Sequence, residues 1–385
     1  MRKKHFFIFI FLCTLIIFIK KIYLYESIDS DFLLLEKCPS CYGNECELIT
    51  NETFALTSYT YFKIFNKFFN VKNVYYGHQD GKLYVIKKLA HNVELDSYDR
   101  KLCEAVHLPY NCDSGFAVRR LIDSHHNNLD SIIEKNPALF GGSEPLKCKH
   151  DRVLTFLFHK FQMSRTNDQI MHNFLTLMAV NPEPVIMQAF QNVFPFPNYY
   201  EACGRVVVQE FAGSPLSRFY GNPWLERASL AVQLLQIANS MTEHYIRIYL
   251  TDPSSDNFAV DSKGNVKLVD LENIVLVDSQ KGNLEKSVHF NEGNGCNGCF
   301  SYDYEDLCNF FKADHNYFAI CKGLLSSSPF TSSLPGGLLH SVPKNILKKY
   351  PNLLNLIEEC AQPESYSNRL EPAKILLKTL NILIS

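Results

Sequence analysis

The pattern of apolar and charged positions at the start of the chain is that of a targeting segment. Residues 6–19 are apolar, residues 2–4 are basic, and residues 20–21 are lysines. A basic start followed by a short apolar run is typical of a secretory signal. The run is shorter than the ~20 residues of a membrane-spanning helix, although residues 22–25 can extend it. We therefore expect residues 1–25 to be either a signal peptide or a type II signal anchor.

Strand patterns follow further along the chain. Residues 73–76 are rich in β-formers, residues 78–81 end in Asp-Gly, and residues 82–89 alternate between apolar and polar. Asp-Gly between two such runs predicts a β-hairpin. Residues 205–211, with three consecutive valines, predict another compact strand.

Helical periodicity dominates the second half. Asn222 and Pro223 have the residue types of a helix N-cap and first turn, and apolar residues at helical spacing continue to Met241. Residues 353–359 and 373–383 predict two further helices. Strands early and helices late indicate an α+β protein with two lobes.

Composition and charge narrow the possible partners. Hydrophobic residues make up 46% of the chain and charged residues 20%, which suits a folded protein. The formal net charge is −2. No strong positive field favours nucleic acid, and membrane contact is expected only through an uncleaved N-terminal anchor.

The cysteines indicate an oxidising compartment. Cys13 lies in the apolar run, and the other cysteines number an even twelve of the 13 in the chain. They predict a disulfide framework whose pairing the sequence leaves open. The Cys38-x-x-Cys41 and Cys296-x-x-Cys299 spacings also occur in zinc and redox sites. Neither has a clean second pair, so structural disulfides are favoured.

Asn51 begins an Asn-Glu-Thr sequon beside the first cysteine cluster, and we predict that it is glycosylated. Together with the cysteines, it assigns residues 26–60 to a Cys-bearing lumenal segment. The expected location is the secretory pathway, in the Golgi or ER lumen or outside the cell.

Three polar residues have a spacing that suits phosphoryl transfer. Asn257 follows Asp252 by five residues, and Asp270 comes thirteen residues later. In this chemistry one carboxylate orients the acceptor hydroxyl and takes its proton, and an amide oxygen and a second carboxylate hold Mg²⁺ against the phosphates. Asp252 before Pro253 could serve only as a turn residue, but the register of all three favours a site.

These residues resemble the catalytic loop and metal-binding strand of protein kinases. The resemblance implies that Asp252 is the catalytic aspartate and that Asn257 and Asp270 bind the metal. Residues 84–87 resemble V-A-I-K, with Lys87 as the catalytic lysine that pairs with phosphates.

The resemblance extends to the nucleotide. Residues 206–213 resemble the strand and hinge that receive adenine, which implies that backbone groups near Glu210 and Ala212 bind the base. Residues 360–380 resemble the final kinase subdomain and include Arg369. The implied cofactor is ATP with Mg²⁺ or Mn²⁺.

More narrowly, the chain resembles the divergent protein kinase domain 2 family, also called the deleted-in-autism-1 family. This resemblance implies a kinase-like N-lobe with an insertion over residues 61–210 and a C-lobe over residues 211–385. The segments that carry it are residues 37–43, 70–75, 181–184, 202–205, 255–260, 314–317 and 336–340.

Several positions depart from the protein-kinase pattern. No G-x-G-x-x-G precedes Lys87, residues 250–251 are Leu-Thr in place of His-Arg, and residues 271–272 are Leu-Glu in place of Phe-Gly. The activation segment has no Ala-Pro-Glu, so the usual ion-pair partner of Arg369 is unidentified.

Two side-chain assignments stay open. The helix glutamate that pairs with Lys87 is either Glu94 or Glu104. His315, in Asp314-His315-Asn316, fits a hydrogen-bonded structural histidine better than a catalytic one.

Two functions are consistent with these residues. One is an ATP-dependent protein kinase for lumenal or secreted substrates. The other is a secreted pseudokinase that acts as a ligand or scaffold, with a receptor as its partner. The retained polar residues favour the first, and the lost glycine loop favours the second.

Overall fold

The structure, a computed structural model, describes residues 28–56, 73–148, 151–163, 169–280, 300–309, 312–330, 335–366 and 368–385. They form two compact units. The first comprises the described residues up to His126 together with Met171–Val180 and Tyr199–Phe211. The second comprises Asn127–Ile170, Asn181–Asn198 and Ala212–Ser385.

The predicted targeting segment, residues 1–25, lies outside the described residues. Within the part of the chain that the structure describes, no helix has both the length and the apolar character that a membrane crossing requires.

The strands of the first unit are β1 (Gly43–Asn44), β2 (Ala55–Leu56), β3 (Asn73–Gln79), β4 (Lys82–Lys88), β5 (Tyr199–Gly204) and β6 (Val206–Glu210). They form one six-stranded antiparallel sheet in the order β1-β5-β6-β4-β3-β2. The predicted strand over residues 205–211 is therefore confirmed as β6.

The predicted hairpin is confirmed as β3 and β4. Asp80 and Gly81 connect the two strands with φ angles of 50° and 76°. Positive φ at both central residues is the backbone of the tight turn that matches the twist of paired strands. Asp-Gly tolerates this backbone better than most residue pairs, which is why the sequence signal was informative.

The core of the first unit lies on one face of this sheet. Tyr84 and Ile86 of β4 pack there with Val206 and Val208 of β6 and with Phe54. Since side chains alternate along a strand, Lys87 lies on the opposite face.

The helices, in chain order, are α1 (Ser30–Leu33), α2 (Asn92–Ala105), α3 (Ser114–Ser124), α4 (Leu129–Lys135), α5 (Pro137–Phe140), α6 (Asp151–Met163), α7 (Ile170–Val180), α8 (Glu183–Ala189), α9 (Trp224–Glu243), α10 (Tyr304–Asn309), α11 (His315–Tyr317), α12 (Lys344–Lys349), α13 (Leu353–Ala361) and α14 (Leu370–Ile384). A π-helix over Phe318–Leu325 follows α11.

The second unit combines most of these helices with short strands. The strands are β7 (Ser214–Pro215), β8 (Ile246–Leu250), β9 (Phe258–Val260), β10 (Val266–Leu268) and β11 (Ile274–Asp278). β8 pairs with β11, and β9 pairs with both β7 and β10. Every residue of β8, β9 and β11 is buried, so these strands lie in the core of the unit.

The helix predicted after Asn222 is α9, and it begins at Trp224. Pro223 occupies the N-cap position instead of the first helical position. The Asn222 side chain does not cap the helix but donates from Nδ2 to the Glu226 carboxylate at 2.9 Å.

The predicted disulfide framework is confirmed for ten cysteines in the described residues. The five bridges join Cys38 to Cys41, Cys46 to Cys203, Cys103 to Cys112, Cys148 to Cys308, and Cys321 to Cys360. Cys296 and Cys299, for which structural disulfides are also predicted, lie outside the described residues.

Removing the bridge between Cys46 and Cys203 should strongly destabilise the first unit. It joins residues 157 positions apart, so it restricts the unfolded chain more than a short bridge does. We expect Cys46→Ala with Cys203→Ala to lower the free energy of unfolding by roughly 2–5 kcal/mol in urea titrations. The control, Cys103→Ala with Cys112→Ala, spans 9 positions and should cost less. A larger loss in the control would contradict this account.

Candidate functional site

The predicted catalytic aspartate follows the end of a buried strand in the second unit. Leu250, the last residue of β8, is in register with Ile274 of β11, and the next N–H, from Thr251, donates to the Asn273 carbonyl at 3.1 Å. Asp252 comes next and is partly exposed. Its Oδ1 accepts the Ser254 N–H at 3.1 Å, which fixes the orientation of the carboxylate.

Asn257 is bound to the same loop. Its Nδ2 donates to the backbone carbonyl oxygen of Asp252 at 3.2 Å. Its own carbonyl oxygen accepts the Val269 N–H at 2.8 Å. Because the amide nitrogen is engaged, the Asn257 amide oxygen is the atom suited to a metal.

Asp270 reaches this loop through the β9–β10 hairpin. Phe258, directly after Asn257, is in register with Leu268, so the chain beyond β10 runs beside Asn257. Asp270 follows Val269, and its Oδ1 accepts the Glu272 N–H at 3.4 Å. The structure therefore brings Asp252, Asn257 and Asp270 together.

A further contact holds Glu272. Asn181 donates from Nδ2 to Glu272 Oε2 at 2.6 Å, and its Oδ1 accepts the Glu183 N–H at 3.0 Å. Asn181 is buried, so its rotamer is fixed by these bonds. Sequence analysis missed Asn181 as a site residue, although the Asn-Pro-Glu-Pro segment that contains it was part of the family resemblance.

Buried side chains from α11 support the end of β8. Asn316 accepts the Leu250 N–H through Oδ1 at 3.0 Å and donates from Nδ2 to the Ile248 carbonyl at 2.8 Å. His315 Nε2 lies 2.7 Å from the Leu250 carbonyl oxygen. The interpretation of His315 as a hydrogen-bonded structural histidine is confirmed.

The protonation state of His315 follows from its burial. Desolvation lowers the pKa of His315 to about 4, although the Leu250 carbonyl and Asp314 act in the opposite direction. The ring is therefore neutral near pH 7, and its contact with a carbonyl oxygen requires that Nε2 carry the proton. His315 thus donates to Leu250.

Arg369 has a partner that the sequence did not reveal. Its backbone N–H donates to Asp314 Oδ2 at 2.8 Å, and its Nη1 lies 3.5 Å from the same oxygen. Both side chains are fully buried. Burial lowers the pKa of Arg369 to about 10, and Asp314 partly opposes this shift. Arg369 is therefore charged near pH 7, and its contact with Asp314 anchors α14 beside α11.

Lys87 and Glu210 belong to the first unit, and Ala212 opens the second. Lys87 is partly exposed and is in register with Val207 of β6. Glu210 ends β6 opposite Tyr84. Ala212 is buried.

The chain after Ala212 passes close to β9. A Cβ on Gly213, whose φ is 116°, would lie 2.0 Å from the Val260 carbonyl oxygen. Only glycine fits this close approach between the predicted hinge and the strand that follows Asn257.

The two candidate glutamate partners of Lys87 lie on α2. Glu94 accepts the His91 N–H at 2.7 Å and so caps the N-terminus of the helix as part of a capping box. Glu104 is exposed in the last turn of the helix.

The donor atoms near Asp270 suit a hard divalent ion. Among the described residues, no three His, Cys, Asp or Glu side chains converge as an all-protein metal site. An amide oxygen from Asn257 and a carboxylate from Asp270 match the few protein ligands that Mg²⁺ takes beside phosphate oxygens and water. The residues present therefore fit Mg²⁺ or Mn²⁺ bound together with a nucleotide.

The stability of the second unit should fall on mild acidification because of His315. Its folded-state pKa is about 4, below the ~6.5 of an unfolded histidine. The unfolded state therefore takes up the proton first, and stability is lost as the pH falls from about 6.5 toward 4. Between pH 7 and pH 5 we expect His315 to contribute a loss of about 2 kcal/mol in the free energy of unfolding.

Urea unfolding at several pH values measures this loss. His315→Gln keeps an amide donor and should remove most of the loss between pH 7 and pH 5. The control His159→Gln, at an exposed position of α6, should follow the wild type. Parallel curves for wild type and His315→Gln would contradict the buried neutral histidine.

Known proteins match this chain along most of its length. A family model described as the protein-kinase domain of FAM69 matches residues 174–363. Divergent protein kinase domain 2A of Xenopus tropicalis is 32% identical over 382 residues, covering 92% of this chain and 88% of the relative. The Homo sapiens protein of that name is 32% identical over 383 residues, with the same coverage. Divergent protein kinase domain 2B of Bos taurus is 27% identical over 204 residues, covering 49% of this chain and 46% of the relative.

These matches explain the two observed units, one with a sheet that bears Lys87 and one rich in helices around Asp252, Asn257 and Asp270. The identity and coverage confirm the resemblance seen in the sequence. The chain has a kinase-like fold and belongs to the divergent protein kinase domain 2 family.

Proposed function

We propose that the protein is an ATP-dependent phosphotransferase that acts on lumenal or secreted proteins. The hydrogen bond from Asn257 Nδ2 to the Asp252 carbonyl carries this proposal. It ties the predicted metal ligand to the predicted catalytic residue, and the bond from Val269 brings Asp270 beside both. Kinase-like folds in general use a nucleotide and a divalent metal.

Each polar residue of the site has a defined role in this proposal. Bound ATP with Mg²⁺ or Mn²⁺ supplies the phosphoryl group and neutralises its charge. Asn257 and Asp270 hold the ion. The Asp252 carboxylate, oriented by the Ser254 N–H, aligns the acceptor hydroxyl and takes its proton.

The proposal includes two further sets of nucleotide contacts. Lys87 adds a positive charge for the phosphates. Backbone groups near Glu210 and Ala212 bind the adenine. The partner is a lumenal or extracellular protein that offers a hydroxyl group.

A secretory location is part of the proposal. Its support is the disulfide framework, which forms in oxidising compartments. Asn51 is exposed in a turn, and its Oδ1 accepts both the N–H and the hydroxyl of Thr53, at 2.9 and 2.8 Å. An exposed sequon in such a turn is accessible to modification.

A second candidate function is a secreted pseudokinase that binds a receptor or scaffold partner without catalysis. One observation favours it. In a kinase sheet, the glycine-rich loop that covers the phosphates joins the two strands that precede the lysine strand in the chain. Here β2 and β3 are joined by residues 57–72, which contain no glycine.

Variants of two carboxylates separate binding from chemistry. Asp270→Ala should abolish metal-dependent nucleotide binding, because the metal loses its carboxylate ligand. Asp252→Ala should still bind nucleotide but transfer phosphate ~10²–10⁴-fold more slowly, the usual contribution of a general base. Calorimetric titration with ATP and Mg²⁺ or Mn²⁺, and phosphate incorporation into the protein itself and into secreted proteins, measure the two steps.

Asp256→Ala is the matched control, since this exposed carboxylate lies in the same loop and binds the Ser217 hydroxyl at 2.6 Å. It should retain both binding and transfer. Binding without transfer by the wild type would favour the pseudokinase. No nucleotide binding at millimolar concentrations with either metal would sink the proposed site and leave only a shared fold.

Glycosylation at Asn51 tests the location separately. When the full chain is expressed in secretory cells, glycosidase digestion should increase its gel mobility, and Asn51→Gln should remove that shift. Thr50→Ala, which leaves the sequon intact, is the control. A cytosolic product without a mobility shift would defeat the secretory proposal.

A further inference from the structure

The bridge between Cys38 and Cys41 closes a much shorter loop of chain than the other described disulfides do. Its sequence separation is 3, compared with 157 for the bridge from Cys46 to Cys203. The entropy that a disulfide removes from the unfolded chain rises with the logarithm of the loop length. Among the described disulfides, this bridge therefore stabilises the fold least through its loop, so its reduction costs the folded protein the least stability.

The surroundings of Cys41 favour the reduced form. Three oxygen atoms lie near its Sγ: Asn44 Oδ1 at 3.4 Å, the Gly43 carbonyl at 3.6 Å and Asn173 Oδ1 at 3.8 Å. A disulfide sulfur has no proton to donate, whereas a thiol does. Reduction therefore supplies a donor to acceptors that already surround the sulfur.

Asn173, next to Cys41, has a side-chain amide that is incompletely hydrogen-bonded among the residues that the structure describes. Its side chain is fully buried on α7. Its Nδ2 has no hydrogen-bond partner within the described part of the chain. Burying an amide group without partners is unfavourable. A thiol proton on Cys41 supplies a donor to Asn173 Oδ1, the acceptor atom of the same amide.

Cys103 and Cys112 form a useful comparison in the same unit. Their bridge is also short, with a sequence separation of 9. Cys112 Sγ has one nearby oxygen, the Asp113 carbonyl at 3.5 Å, in an exposed position where water is an alternative partner. Among the cysteines that the structure describes, only Cys41 combines a short loop with several nearby acceptors around a buried sulfur.

The loop between Cys38 and Cys41 is also connected to α2 through the side chain of Arg205. The carbonyl oxygen of Ser40 accepts from Arg205 Nε at 3.2 Å and Nη2 at 3.1 Å. Arg205 Nη1 in turn donates to Asp99 of α2 at 3.2 Å. Arg205 is almost fully buried, so its position depends on both partners.

We propose that Cys38 and Cys41 form a dithiol–disulfide exchange site and that reduction loosens α2 through Ser40, Arg205 and Asp99. This inference does not rest on nucleotide binding or phosphate transfer. It assigns a redox function to a pair whose spacing alone favoured a purely structural bridge.

The exchange needs a dithiol reductant, such as dithiothreitol or a dithiol oxidoreductase. Cys38 is partly exposed and Cys41 is fully buried, so the thiolate of the reductant attacks Cys38 Sγ. The S–S bond breaks, a mixed disulfide forms at Cys38, and Cys41 leaves as a thiolate and takes a proton. The second thiol of the reductant then displaces Cys38, which leaves the protein as a dithiol and the reductant as a disulfide.

A redox titration of the purified full-length protein tests the exchange site. The protein is equilibrated with mixtures of reduced and oxidised dithiothreitol, free thiols are alkylated, and each cysteine pair is quantified by mass spectrometry. Cys38 and Cys41 should be half-reduced at a dithiol-to-disulfide ratio on the order of tenfold lower than Cys103 and Cys112. Reduction at the same or a higher ratio would overturn the proposal.

Asn173→Leu tests the role of the acceptors. Without the amide oxygen, the reduced form loses a partner, and half-reduction of Cys38 and Cys41 should require a several-fold higher dithiol ratio. Thr176→Val is the control, because this fully buried residue lies one turn away on α7. An unchanged titration in Asn173→Leu would show that the acceptors do not set the equilibrium.

Hydrogen exchange tests the coupling to α2. At the dithiol ratio that reduces only Cys38 and Cys41, amides of α2 should exchange faster, whereas those of the β3–β4 hairpin should not. The double variant Cys38→Ser with Cys41→Ser should show the same faster exchange without reductant. Unchanged protection of α2 in both experiments would refute the coupling.

Discussion

The candidate site depends on how the last peptide groups of β8 are satisfied inside the protein. Leu250 ends a strand that is buried at every position. A buried peptide group without a hydrogen bond is costly. Asn316 and His315 bind the N–H and C=O of Leu250 from within the core. These contacts determine where the chain leaves the core and therefore where Asp252 lies.

The rest of the site follows from that exit point. Asn257 binds back to the Asp252 carbonyl, and Val269 binds to Asn257. These hydrogen bonds connect one proposed metal ligand, Asn257, to the proposed catalytic residue, Asp252, and bring the other proposed ligand, Asp270, beside it. The ion pair between Arg369 and Asp314 is fully buried, and Asp314 directly precedes the two residues that bind Leu250. Asp314 is thus the ion-pair partner of Arg369 that could not be identified from the sequence.

Much of this architecture could be predicted from local patterns. The Asp-Gly turn of the β3–β4 hairpin and the spacing of Asp252, Asn257 and Asp270 involve neighbours in sequence, so residue types and intervals were sufficient. The disulfide framework was foreseen for the same reason, since an even number of cysteines is visible without knowing their contacts.

Contacts between distant segments could not be predicted in this way. Asn181 reaches Glu272 across 91 positions, and Asp314 reaches Arg369 across 55. The pairing of Cys46 with Cys203 depends on the pairing of β1 with β5, because Cys203 lies in β5 and Cys46 follows β1. Such contacts are set by sheet order and by the packing of buried helices, which a single sequence does not encode as a local signal.

The central claim is that Asn257 and Asp270 hold a divalent ion for a nucleotide. Crystals grown with a non-hydrolysable ATP analogue and Mn²⁺, measured at the manganese absorption edge, test it most directly. The account predicts an anomalous peak within roughly 2.0–2.3 Å of Asn257 Oδ1 and of an Asp270 carboxylate oxygen, the distance range of metal–oxygen bonds. Nucleotide bound with no manganese at these atoms, or manganese bound at a different group of side chains, would contradict it.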